Sequence, residues 1–201
     1  MIARTFPITI ALLLALGAAP ATAQLGQSEG YKFLQAIRDS KNDEVIATLS
    51  KPGSQIVNTR DRGNGEGAIH IVTRRNDVAY LNYLIANGAD TNLRDGKGDT
   101  AMLIAAGNGR GDIIEILQKG GANVNLANSS GETPLIRAVQ KRDLSMVRIL
   151  LSLGADPDQA DMLAGMSARD YAKQDVRSPA IAKLIEETPK KPRRAVSGPK
   201  L

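Results

Sequence analysis

The chain has 201 residues, 42% hydrophobic, 3% aromatic and 23% charged, with a formal net charge of +5. It contains no Cys, no Trp and a single His, which excludes disulfides, thiol catalysis and Cys-based metal sites and leaves no histidine pair for metal or acid–base chemistry. So few aromatics also argue against stacking platforms for bases or sugars, and no nucleic-acid partner is expected.

The charge is unevenly placed. Arg4 stands near the start, and Lys190, Lys191, Arg193, Arg194 and Lys200 lie beyond Thr188. Setting those six aside leaves 20 basic residues against all 21 acidic ones, so the body carries a charge of about −1 and the basic pI describes the ends. Residues 1–23 read as a secretory signal peptide: Arg4 gives the positive start, Ile8 to Ala19 the apolar core, and Ala21-Thr22-Ala23 the small-x-small cleavage pattern. The apolar run is shorter than the ~20 residues a spanning helix needs, which argues against an anchor and against stable membrane insertion after cleavage. Cleavage near Ala23 starts the mature chain at Gln24 and sends it to the periplasm or beyond the cell. Residues 24–30 then form a linker. The roughly 178 remaining residues suit a single domain.

From Tyr31 to Glu187 the chain repeats itself at a period near 33. Gly131 falls on Gly98 and Gly65 under that shift, and Leu150 falls on Leu117 and Leu84. Gly154-Ala155-Asp156 likewise falls on Gly121-Ala122-Asn123 and Gly88-Ala89-Asp90. Self-similarity at a fixed period marks an array of stacked units. In the clearest unit, Thr133-Pro134-Leu135 supplies a capping hydroxyl and a Pro suited to the first helical turn. Leu135 and Ala138 then share one face of a short helix. A second helix carries apolar residues at 146, 147, 149, 150 and 151, with Arg148 left to water. Gly154 ends that helix in the left-handed region.

With this period, this Thr-Pro-Leu and these Gly-Ala-Asp turns, the chain resembles the ankyrin repeat family over about residues 31–187. The resemblance implies an all-α solenoid of about five stacked helix-turn-helix repeats with β-hairpin-like loops, at about 31–61, 62–95, 96–128, 129–161 and 162–187. Each unit is too small to bury its apolar face alone, so stacking stabilises the array.

The first repeat offers Phe33 to Asp39 and Asp43 to Leu49 as helices and lacks Thr-Pro-Leu, as an N-terminal cap should. Its loop leaves the standard register around Pro52-Gly53. The second keeps Ile69-His70 where the family has Leu-His, and Gly67-Ala68 in place of Thr-Pro leaves the helix start less well capped. His70 as the only histidine reads as a structural residue bonding the adjoining turn, against the alternative of a catalytic base or metal ligand. The third has Thr100-Ala101-Met102. Its Gly107 to Gly111 run, like Gly63 to Gly67, lacks the strand context and the Gly-Lys-Ser/Thr ending of a phosphate loop, so both are turns. In the last repeat Arg169 replaces an apolar residue and, with Lys183, Glu186 and Glu187, suits an end cap facing water. Residues 188–201, with three prolines and five basic residues, are expected to be a disordered basic tail able to touch anionic surfaces.

The family's usual role implies binding of a protein partner, unidentified from the sequence, by a monomeric array. Its hairpin tips correspond to Asn64, Glu66, Lys97, Asp99, Ser130, Glu132, Met162, Leu163 and Met166. Its concave inner-helix positions correspond to Arg74, Arg75, Asn108, Gln140 and Lys141. No catalytic residue, metal ligand or cofactor is expected. A non-catalytic periplasmic binding module is therefore the leading reading; the alternatives are a secreted effector or immunity-type protein and an enzyme.

Overall fold

A computed structural model describes residues 28–51 and 55–189. The signal segment, most of the 24–30 linker, Pro52-Gly53 and the basic residues from Lys190 onward lie outside the described residues.

Among the described residues ten α-helices follow one another in five pairs: α1 Glu29–Arg38 and α2 Asn42–Leu49, α3 Ala68–Arg74 and α4 Val78–Ala86, α5 Ala101–Gly107 and α6 Gly111–Lys119, α7 Pro134–Gln140 and α8 Leu144–Ser152, and α9 Ala168–Gln174 and α10 Pro179–Glu186. A single 3-10 turn, Ile56–Asn58, closes the first repeat. The loops between pairs are hairpin-like, with isolated antiparallel bridges at Arg60–Gly67 and Ala160–Ser167. Helix α1 begins at Glu29, two residues before the expected start, because the Ser28 hydroxyl accepts the Tyr31 N–H at 3.2 Å and Glu29 favours the positive helix end.

The odd-numbered helices form an inner layer in which each packs on the next, while the outer helices touch their neighbours less closely. Small side chains permit this: Ala68, Ala101, Ala105, Ala138, Ala168 and Ala172 are all buried between inner helices. Closer spacing on the inner side makes that side concave. The outer helices bury Leu81 and Leu84, Ile113, Ile114 and Leu117, and Met146, Val147 and Leu150. Burying one such side chain is worth roughly 1.5–3 kcal/mol. Arg148 stays exposed on the far side of α8, as the apolar spacing requires.

Inner helices start on capping hydroxyls. Thr100 accepts the Leu103 N–H and Thr133 the Ile136 N–H, and Ser167 with Asp170 forms a reciprocal capping box. At Gly67, which has no side chain to offer, the imidazole of His70 substitutes: its Nδ1 accepts the Gly67 N–H at 3.0 Å. Nε2 therefore carries the proton and donates to the carbonyls of Leu93 at 2.9 Å and Asp99 at 3.1 Å. His70 is fully buried and joins the second repeat to the third. Burial pushes its pKa below the usual 6.5.

Successive repeats are also tied by side-chain amides at one place in the unit. Asn58 donates to the Gly88 carbonyl at 3.0 Å and accepts the Asp90 N–H at 2.7 Å. Asn92 does the same with Gly121 and Asn123, and Asn125 with Gly154 and Asp156. An amide suits this place because it donates and accepts at once. The next equivalent residue is Asp158, which precedes the fifth helix pair, the last among the described residues. Its carboxylate instead accepts from Arg169 Nε at 2.7 Å, and Arg169 donates also to the carbonyls of Ile185 at 2.5 Å and Thr188 at 3.1 Å. Arg169 is only 6% exposed, so the expectation that it faces water is corrected: acceptors on Asp158 and at the end of α10 meet its guanidinium and allow its burial.

Candidate functional site

The concave face is organised by one Asx residue per hairpin: Asp61, Asp95, Asn128 and Asp161. One side-chain oxygen of each holds its own turn. Asp61 Oδ1 accepts the Gly63 N–H, Asp95 Oδ1 the N–H groups of Lys97 and Asp99, Asn128 Oδ1 those of Ser130 and Glu132, and Asp161 Oδ1 that of Ala164. The second side-chain atom reaches the inner helix. Arg38 bonds Asp61 Oδ2 at 2.9 Å, Arg74 bonds Asp95 Oδ2 at 3.0 Å, and the Tyr171 hydroxyl donates to Asp161 Oδ2 at 2.5 Å. At the third hairpin the amide nitrogen of Asn128 donates instead, so the pattern inverts. It bonds Asp99 and Glu132, and Arg137 bridges the two carboxylates at 3.0 and 2.6 Å.

These contacts set the ionisation of the face. The Gly63 N–H first, and then Arg38, hold the Asp61 carboxyl below the usual range. Burial alone would raise Asp99, but hydrogen bonds from Arg137 and Asn128 outweigh it and lower the group. Asp161 is lowered too, because the Tyr171 hydroxyl and the turn N–H groups overcome its desolvation. Bonding to Asp161 in turn raises the Tyr171 hydroxyl. The sequence reading missed Arg38, Asp61, Asp95 and Arg137. The spacing of Asp61, Asp95, Asn128 and Asp161 at one residue per repeat was the available signal.

The hairpin tips form a backbone ladder. The Asn64 carbonyl accepts the Gly96 N–H at 2.7 Å, Lys97 that of Ser129 at 3.1 Å, and Ser130 that of Met162 at 2.8 Å. Gly98 and Gly131 sit at φ values of 79° and 78°, and a Cβ on either would lie 2.6 Å from the next tip's backbone nitrogen. Only glycine satisfies both demands.

The ladder sorts the expected binding residues. Asn64, Lys97, Met162 and Leu163 hold their tip positions with exposed side chains, Met162 at 78% and Leu163 at 82%. Asn108, Gln140 and Lys141 are exposed at the ends of α5 and α7. Ser130 and Met166 are half-buried, and Met166 Sδ accepts from Gln174 at 3.6 Å. Arg74 is exposed but shares itself between Glu66 and Asp95, and Glu66 and Glu132 are held by arginines. Two residues differ from their expected exposure. Asp99 is buried against Arg137 rather than presented at a tip. Arg75 donates to the carbonyls of Ile37 at 2.6 Å and Arg38 at 3.4 Å, pairs with Asp77 and lies 5.7 Å from the Tyr80 ring centroid. A cation at the carbonyl end of α1 complements the helix dipole, so Arg75 joins the first two repeats.

A family model described as ankyrin repeats in three copies matches residues 33–126 and 69–161. An ankyrin repeat protein of Acanthamoeba polyphaga mimivirus is 34% identical over 89 residues, which is 43% of this chain and 12% of that protein. The chain thus spans about an eighth of the length of that curated relative.

Proposed function

The chain belongs to the ankyrin repeat family, whose arrays are protein–protein interaction modules, and from that premise we propose that it binds a protein partner in the periplasm, or outside the cell, through its hairpin tips and concave inner-helix face. The carrying observation is Met162-Leu163, two large apolar side chains held out at a tip whose backbone is fixed by Ser130. Apolar side chains on a rigid support make efficient contacts because little conformational freedom is lost on binding. Around them the array's charges are mostly paired internally, so the frame is ordered before any partner arrives. His70 has both ring nitrogens engaged and no exposure, which supports a binding rather than a catalytic use of this surface.

Export rests on Arg4, the Ile8 to Ala19 core and Ala21-Thr22-Ala23, and no helix among the described residues is long and apolar enough to cross a membrane. The mature protein acts as a monomer, and its basic tail holds it near anionic surfaces. Photo-crosslinking side chains placed in turn at Met162, Lys97 and Arg148 test the reading in the native cell. Discrete adducts to one protein from Met162 and Lys97, with none from Arg148 on the outer helix, support it. Adducts from Arg148 alone sink it. Mass spectrometry of the native protein tests export: a chain beginning at Gln24 is expected, and an intact segment 1–23 refutes it.

A further inference from the structure

Between the first and second tips lies a recess of 500 Å³ lined by Asn64, Glu66, Arg74, Asp95 and Lys97. Its carboxylates are already occupied. Asp95 accepts two turn N–H groups and Arg74 Nη2, while Glu66 accepts Arg74 Nε at 2.9 Å and lies 3.7 Å from Arg38. Its donors are not. Arg74 keeps Nη1 unused with its side chain 49% exposed, and neither Lys97 Nζ nor Asn64 Nδ2 has a partner among the described residues. What the recess lacks is an acceptor. An incoming carboxylate meets two cations and an amide donor, whereas an incoming ammonium meets Arg74 and Lys97 with the local carboxylates taken.

Two steps along the ladder from Lys97 the character changes, and the tip presents Met162 and Leu163. Neighbouring inner helices pack at about 8–10 Å, so the recess and the apolar tip stand roughly 16–20 Å apart. An extended chain rises about 3.3 Å per residue and covers that span in about five or six residues. The geometry points to an extended segment of the partner as the occupant: an Asp or Glu seated between Arg74 and Lys97, and a large apolar side chain about five or six residues away covering Met162-Leu163. This inference rests on the tips being the binding surface and adds the chemistry of what they bind.

Selection of a phage-displayed random peptide library on the mature protein tests it. Enriched peptides are expected to carry an acidic residue and a Leu, Met, Phe or Trp at that spacing. Lys97→Glu and the pair Met162→Ser with Leu163→Ser should each weaken the selected peptides about tenfold or more, and Arg148→Glu should leave them unchanged. All four positions are exposed, and unchanged circular dichroism confirms folding of each variant. A second selection on Lys97→Glu should replace the acidic residue with Lys or Arg, an exchange that a purely structural role for Lys97 does not produce. Enriched peptides without an acidic residue, or ones that bind Lys97→Glu as they bind the parent, overturn the proposed chemistry. So does enrichment of no sequence, and in both cases cross-linking from the tips decides separately whether a protein is bound there.

Discussion

The junction between the third and fourth repeats and the junction between the fourth and fifth use the same place in the unit with different side chains. At the first, Asn125 donates to the Gly154 carbonyl at 3.2 Å and accepts the Asp156 N–H at 2.6 Å. At the second, Asp158 accepts from Arg169 at 2.7 Å, and Arg169 closes the end through the Ile185 and Thr188 carbonyls. An amide needs another repeat beside it, because half of its bonding capacity is a donor. A carboxylate only accepts, and so calls for a cation, which the following unit supplies as Arg169. One atom's difference decides whether backbone groups or a guanidinium complete the junction.

Leu150→Ala sets the scale for breaking both junctions, since Leu150 is fully buried in α8 between the third and fifth repeats. A loss of about 2–5 kcal/mol is expected in a urea titration, and a value under 1 kcal/mol would put the stacking face elsewhere. Arg169→Leu breaks the terminal junction alone. It removes the guanidinium from a partly buried carboxylate and two carbonyls, and a loss near 3 kcal/mol is expected, the low end for a broken buried pair because Asp158 keeps some contact with water. Hydrogen exchange should show opening confined to α9 and α10. Uniform loss of protection across α3 to α8 would contradict a local cap.

Asn125→Asp sharpens the comparison by putting the terminal residue at an interior junction without its arginine. The Gly154 carbonyl loses its donor and faces a negative charge. About 1–3 kcal/mol should be lost, visible as a lower urea midpoint, and a neutral result would mean the amide's donor side contributes nothing.

A smaller effect separates the N-terminal half by pH. The folded-state pKa of His70 lies below 6.5, with burial the main cause and Glu66, Asp95 and the carbonyls of Leu93 and Asp99 opposing it. The unfolded chain therefore binds a proton that the folded one does not. The stability is fully present above pH 7 and is lost as pH falls from about 6.5 toward the folded pKa. The lowered carboxylates Asp61, Asp99 and Asp161 act in a separate window, near and below their usual 3.8. Between pH 7.5 and 5.5 the parent's Tm should fall while that of His70→Gln holds, and parallel curves would refute the assignment. Smallest of all is Arg148→Ala on the exposed side of α8, expected within about 0.5 kcal/mol of the parent in the same titration.

Much of this was legible from the sequence. The period near 33 gave the stack, the apolar spacing in α8 separated Leu150 from Arg148, and the lone His70 read correctly as a bond to the adjoining turn. These features follow from local rules, since helix period, cap chemistry and the freedom of glycine act within a few residues. The tertiary structure alone decided which charged residues are free. Arg169 is buried because acceptors sixteen and nineteen residues onward converge on it. Arg75 is tied because carbonyls of α1, 37 and 38 residues back, lie within reach, and Asp99 is buried because Arg137 arrives from the next repeat, 38 residues on. A charged side chain can leave water only where partners from distant segments replace its hydration, and the spacing of residues along the chain does not reveal where those segments meet.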